Sequence, residues 1–184
     1  MRARLLETTV ELLERHPGVR PSTQELADHG NVSIGTVYRY FADMDSIIEE
    51  LRGSAIRDIT TELATGVGRA MDLEPLVSVT TIVETLTFAF EKHAAVLRAS
   101  FTSDEAEFGD AWRDVGGPVA ALARILPSRL RPDLGDAELD DLVFLTMGAT
   151  ASLCLRIALL RSPTSDRQAL IGTAARMLLA AFAP

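Results

Sequence analysis

Apolar residues recur along this chain at spacings of three and four, and no stretch alternates with period two long enough to make a strand. Ala3, Leu6, Val10 and Leu13 form one face of an opening helix that Pro17-Gly18 ends. Ser22-x-x-Glu25 is a capping box, so a short second helix starts there and runs to about His29. Gly30-Asn31 is the break, because a tight turn needs a residue that tolerates positive φ. Ser33 caps a third helix reaching about Phe41, and Asp43 caps a fourth that carries Ile47, Ile48 and Leu51 inward and runs to about Thr65. Further helices are expected over 74–99, after the helix-start proline Pro75, over 104–112, and over 118–126, stopping at Pro127. A loop over 131–135 precedes two last helices, 136–160 and 165–182, divided by Pro163. The expected fold is all-α, with about nine helices: a helix-turn-helix domain over 1–45 and a helical bundle over 46–184.

The second and third helices carry the first chemical signal. Ala27, Val32 and Val37 sit five apart, as the inward residues of a helix-turn-helix do. The outward positions of the third helix are Ile34, Gly35, Tyr38 and Arg39, where a merely solvated face would carry Glu and Lys. Thr36 and Tyr40 lie one turn apart, placing two hydroxyls on the edge that meets phosphates. Each residue has a second reading. Gly35 costs about 1 kcal/mol in a helix interior, which either close approach to DNA or close helix packing would justify. Arg39 contacts a phosphate or a guanine edge, or is a plain surface arginine. Ile34 touches a thymine methyl or shields the turn. Ser33 and Thr23 are caps first and phosphate donors second.

The run Ser33-Ile34-Gly35-Thr36-Val37-Tyr38-Arg39-Tyr40-Phe41, preceded by Thr23-Gln24-Glu25-Leu26-Ala27, resembles the DNA-binding signature of the TetR family of bacterial regulators. The resemblance covers about residues 2–52. It implies a homodimer whose third helix enters the major groove, and a divergent C-terminal domain that binds a small molecule and releases the DNA. It assigns phosphate contacts to Thr23, Thr36, Tyr38 and Tyr40 and base-proximal positions to Gln24, Ile34, Gly35 and Arg39. Two departures stand out: the lysine usual at the start of the fourth helix is Met44, and the usual Ala-Gly of the turn is Gly30-Asn31. The basic N-terminal arm is reduced to Arg2 and Arg4.

Charge changes this picture. The net charge is −8, and residues 1–52 hold six arginines against nine acidic residues. DNA binding must then rest on local geometry, with a weak phosphate contribution and shallow salt dependence. A helical ligand sensor or protein-interaction dimer with a degenerate helix-turn-helix is the alternative that this charge supports.

In the C-terminal part, the small-sided stretch Gly148-Ala149-Thr150-Ala151-Ser152 and the stripe Leu170, Ala174, Met177 and Leu178 are the expected dimer interface, with an ordinary intramolecular core as the other reading. The helix from Glu74 mixes apolar residues with Thr80, Thr81, Thr85 and Thr87. An effector cavity is expected from Val83, Thr87, Phe90, Phe101, Phe108, Trp112, Phe144 and Met147, with Glu84 and His93 as polar contacts, although each also suits a plain core. The three histidines are scattered and no catalytic, metal-ligand or glycine-rich phosphate pattern stands out, so no enzyme activity, cofactor or metal is expected. Cys154 alone makes no disulfide, which suits a reducing cytoplasm, and the apolar run 142–160 is interrupted by Thr146, Thr150, Ser152 and Arg156, so it reads as a buried helix and not a membrane span.

Overall fold

A computed structural model describes residues 1–100 and 119–183. Among them every regular element is helical: α1 (Arg2–Arg15), α2 (Thr23–His29), α3 (Ile34–Tyr40), α4 (Met44–Ala70), α5 (Pro75–Lys92), α6 (Ala94–Ser100), α7 over 119–130, α8 (Asp136–Leu155), whose last turn widens into a π-helix over Arg156–Leu160, and α9 (Arg167–Ala180). The chain forms two compact units.

The first unit contains Met1–Arg57 and α6. Leu5, Leu12, Leu26, Ala27, Val37, Phe41 and Ile47 are buried together where α1, α2, α3 and the start of α4 meet. Leu13, Ile48, Ala55, Val96 and Ala99 form a second cluster that brings in α6. This cluster is why the unit extends past the boundary expected at residue 45: Ile48 and Ala55 find their apolar partners on α1 and α6. Met44 packs against both clusters. Where the family resemblance leads one to expect a lysine reaching outward, this chain has an apolar side chain packed inward.

The second unit holds α5, α7, α8, α9 and the later part of α4. Helix α5 packs on both α8 and α9. Ser78, fully buried, donates to the carbonyls of Ala70 and Leu73 and so fastens the α4–α5 turn. Glu138 reaches back to the Gly135 amide at 3.1 Å and satisfies one orphan donor at the start of α8. Asp166 caps α9 by accepting from the amides of Gln168 and Ala169. The α8 stretch with its π-turn is long and apolar enough to cross a membrane by length and composition; its inward residues Val143, Ala151, Cys154 and Ile157 are buried within the protein.

Three helix limits differ from the sequence expectation. Helix α4 continues to Ala70, not Thr65, because Val67 and Ala70 are buried and keep the apolar face running through Gly66 and Gly68. The single helix expected over 74–99 is two, broken at His93. The break coincides with the boundary between units, since α5 packs in the second and α6 in the first. Helix α7 passes Pro127, whose carbonyl accepts from the Arg131 amide, so the proline sits in a last turn and does not stop the helix. The helix expected over 104–112 lies outside the described residues.

Candidate nucleic-acid interface

The α2–turn–α3 segment is held by side-chain caps at both helix starts, reciprocal at α2. At α2, Ser22 Oγ accepts from the Glu25 amide at 3.1 Å, while the Glu25 carboxylate takes the Ser22 amide at 2.7 Å. Hydrogen bonds from the Ser22 backbone and side chain hold the Glu25 carboxyl below the ordinary glutamate range. The turn is made by Asn31, which carries the positive φ of 50°, while Gly30 keeps an ordinary helical conformation. The residue that needs left-handed backbone is therefore the asparagine. Arg4 donates to the Gly30 carbonyl at 2.7 Å and ties α1 to the turn. Ser33 starts α3 by accepting from the Thr36 amide, and its hydroxyl also lies 2.9 Å from that of Thr36.

Val37 is the inward anchor of α3, almost fully buried, with Ala27 beneath it and Val32 packed alongside. The opposite face is open. Ser33, Ile34, Gly35, Tyr38, Arg39 and Tyr40 are exposed, with Gln24 exposed on α2, and Thr23 and Thr36 half-buried. Thr23 and Tyr38 are bridged across the two helices, hydroxyl to hydroxyl at 3.2 Å. Gln24 donates to Asp28 at 2.8 Å, and the Arg39 guanidinium stacks 5.3 Å from the Tyr40 ring centroid. The structure thus brings together on one surface all nine residues expected to meet DNA.

Gly35 decides between its two readings. A Cβ built there meets only Ser33 Oγ, at 3.8 Å, so no helix among the described residues requires a glycine at that point. The close-packing reading of Gly35 therefore finds no support among the described residues.

The unit's other arginines are largely committed to the protein. Arg2 pairs with Glu50 and lies over Phe41, Arg20 pairs with Asp45 and donates to the Ala99 carbonyl, and Arg52 pairs with Glu49. The part that Arg20 and α6 play in this unit was not legible in the sequence, where the signal was present only as an isolated arginine in a Pro-flanked loop.

A compact helix-turn-helix with a preorganised, hydroxyl-rich face, joined in one chain to a helical bundle, defines a DNA-binding transcriptional regulator. The family model for bacterial regulatory proteins of the tetR family matches residues 5–51, which is the helix-turn-helix region of the chain. The fold of the chain is similar to that of solved transcriptional regulators. The fatty acid degradation regulator FadR from Bacillus halodurans is 12% identical with a TM-score of 0.69, covering 97% of this chain and 94% of that one. The TetR family regulator PfmR from Thermus thermophilus is 15% identical, with a TM-score of 0.67 and coverage of 97% and 95%. The Thermus thermophilus FadR, a transcriptional repressor solved with lauroyl-CoA, is 17% identical, with a TM-score of 0.61 and coverage of 97% and 93%. No curated protein matches the chain.

The residues expected to line an effector cavity fall in different surroundings, as far as they lie among the described residues. Val83, Thr87 and Phe90 are buried in the packed interior, and Met147 is half-buried beside Leu63 and Val67. Phe144 is 72% exposed on α8 and borders no pocket among the described residues. Phe101, Phe108 and Trp112 lie outside the described residues. Among the described members of this set, Glu84 borders an open groove between α4 and α5. The interface stripe also needs correction. Ala174 and Leu178 face inward with Ile171 and are buried within the chain, because that edge of α9 packs on α5. Ala149, Ser152 and Met177 are exposed as expected, and Leu170 is half-buried.

Proposed function

We propose that this regulator is a cytoplasmic repressor that binds a palindromic operator as a homodimer and is released from it by a small apolar or amphipathic ligand. The exposed face of α3 carries the reading: an unhindered Gly35 beside Ile34, Tyr38 and Arg39, with no intramolecular reason for a glycine. In this scheme α3 lies in the major groove. Thr23, Ser33, Thr36, Tyr38 and Tyr40 hold phosphates, while Gln24, Ile34, Gly35 and Arg39 face the bases. The hydroxyl pairs Thr23–Tyr38 and Ser33–Thr36 are already aligned, which reduces the ordering cost at the phosphates.

Dimerisation is supported by large apolar side chains left open on α8 and α9. Leu145, Leu160 and Met177 are 66%, 68% and 59% exposed, and Phe144 lies beside Leu145. Ala149 and Ser152 continue the open face of α8 at helical spacing, and Ala169, Thr173 and Ala180 flank Met177 on α9. An exposed apolar patch of this kind marks a surface that is covered in the working protein. The lauroyl-CoA held by the Thermus thermophilus FadR is an amphipathic ligand, which fits a release signal of that class.

The test is selection of bound sequences from random DNA by the purified chain, followed by size measurement of the complex. A two-fold symmetric consensus bound by a dimer is expected, with Arg39→Ala relaxing preference at one position of each half-site and Tyr40→Phe weakening all sequences alike. Failure to enrich any sequence, at low as well as moderate salt, would sink the DNA-binding part. A monomer on an asymmetric site would sink the dimer.

A further inference from the structure

Helices α4 and α5 leave between them an open groove of about 920 Å³ in the second unit. That is within the range of about 300–1,000 Å³ usual for small-molecule sites. From Thr61 to Arg69, α4 lines it over roughly 12 Å at the helical rise per residue. Thr65, Thr81 and Thr85 make its polar walls, and Phe88, 56% exposed, is its large apolar surface. Thr65 and Thr81 donate to carbonyls of their own helices, so they turn acceptor lone pairs outward.

The charges along the groove are unevenly answered. Glu62 is paired with Lys92 at 2.7 Å. Glu91 is clasped by Arg161 at 2.6 Å and by Arg167 at 2.9 Å, and Glu84 takes Gln168 at 3.2 Å and lies 4.0 Å from Arg167. All three carboxylates of the groove are thereby matched. Arg69 is not: its one contact is with the hydroxyl of Thr85, at 3.5 Å. At the same end, Arg129 donates to the carbonyl of Leu73, a groove residue, at 3.4 Å. Among the described residues neither arginine pairs with a carboxylate, although Asp72 and Glu74 flank Leu73 in sequence. In a chain of net charge −8, two arginines without counter-charges at one mouth of a groove are a local exception.

We propose that this groove binds an elongated amphipathic anion, with its carboxylate or phosphate head at Arg69 and Arg129 and its apolar body along Phe88. Guanidinium groups present planar, paired donors to such heads. The threonine walls would contribute little to an apolar body and would serve polar atoms along it. At the far end the cations Lys92, Arg161 and Arg167 are already taken by Glu62, Glu84 and Glu91, which leaves no open partner for a second anionic group, so the ligand carries its charge at one end. The assignment rests on reading the chain as a ligand-responsive regulator, and its test separates the two.

The full-length chain is titrated calorimetrically with decanoate, decyl phosphate, decanol and decyltrimethylammonium. Both anions are expected to bind once per chain, with the alcohol and the cation at least tenfold weaker. The ratio of decanoate to decyl phosphate affinity identifies which head the site prefers. Arg69→Gln and Arg129→Gln each weaken the anions fivefold or more, while Arg69→Lys restores part of the loss. Both arginines are solvent-facing, and unchanged circular dichroism checks that the variants fold. Equal binding of the cation, or full anion affinity in Arg69→Gln, overturns the site. DNA selection on the same preparation runs alongside. A chain that selects an operator but binds neither anion overturns this inference alone; one that binds the anions but selects no DNA supports the site and overturns the regulator reading.

Discussion

Replacing Gly35 by alanine should move stability and DNA affinity in opposite directions. In the isolated protein the new methyl group meets only Ser33 Oγ, at 3.8 Å, an ordinary contact. Glycine costs up to about 1 kcal/mol relative to alanine inside a helix, and at the second residue of α3 the gain is a fraction of that. Melting temperature should therefore rise by up to about 2–4 °C in a chain of this size. If α3 lies against the duplex as proposed, the same methyl group would crowd that contact. Overpacking a close contact costs about 1–3 kcal/mol, which at tenfold per ~1.4 kcal/mol is roughly 5- to 150-fold in affinity per half-site. Thermal unfolding and fluorescence anisotropy on the selected operator measure the two halves separately. A variant that is more stable and binds DNA as well as the parent would refute the reasoning, because Gly35 would then have no role on either side. Gly35→Val should deepen the binding loss and, being β-branched, cancel the stability gain.

Four other outcomes follow from contacts in the structure. At Gly66 a Cβ would lie 2.7–2.9 Å from Thr85, including 2.9 Å from its Cβ, which no rotamer change relieves, whereas at Gly68 nothing lies within 4 Å. Urea unfolding should thus show Gly68→Ala stabilised by about 1 kcal/mol and Gly66→Ala lower than it by about 1–3 kcal/mol; equal stabilities would contradict the close α4–α5 approach. Burial opposes ionisation of Glu91, but Arg167 and Arg161 outweigh it and hold its carboxyl below the ordinary glutamate range. Its contribution is complete above about pH 4.3 and is lost as pH falls through its own lower value, so Glu91→Gln should remove roughly 1–3 kcal/mol at neutral pH and flatten the acid limb of the melting profile; an unchanged limb argues against the clasp. Burial pushes the Cys154 thiol up to about 12, with the Thr87 hydroxyl pulling weakly the other way, so iodoacetamide at pH 8 should label the urea-unfolded chain and spare the folded one. Because Arg2, Arg4, Arg20 and Arg52 are held by the protein, the slope of log K against log salt should be shallower than about −4 for a dimer, as for two to four phosphates neutralised.

Local chemistry made the DNA-binding half legible. The capping box Ser22–Glu25, the Ser33 cap, the turn at Asn31 and the inward Ala27, Val32 and Val37 all depend on residues within a few positions of each other, so their spacing carries the information. The second unit is governed by contacts between distant helices, and spacing is silent about partners. Gly66 and Gly68 have the propensity of a helix end, yet α4 continues because its apolar face does and because Gly66 admits Thr85. The pattern over 74–99 is uniformly helical, and only the assignment of α5 and α6 to different packing clusters breaks it at His93. Apolar residues on α5 and α8 were readable as inward or outward only by guess. Phe90 lies inside and Phe144 outside, although both sit in apolar helical stretches. The threonines at 81 and 85, singled out as unusual in an apolar helix, do line the groove that Phe144 does not.

The acidic charge of the DNA-binding unit and its function are reconciled by where the charges sit. Asp45 and Glu50 compensate Arg20 and Arg2, and Glu49 compensates Arg52, so these carboxylates neutralise arginines of the scaffold and do not reach the α3 face. The face itself carries Arg39 and an array of hydroxyls, and the N-terminus of α3 adds the partial positive charge of its open amides. Met44 completes the arrangement. By packing on both apolar clusters of the unit it strengthens the joint between α4 and the helix-turn-helix, while giving up a cation at the phosphates. A unit built this way gains little from counterion release and depends on shape, so errors in half-site spacing or in base contacts are not masked by nonspecific attraction. In the proposed dimer, discrimination between operator and bulk DNA would accordingly be set by the geometry of the two α3 helices, at the expense of raw affinity.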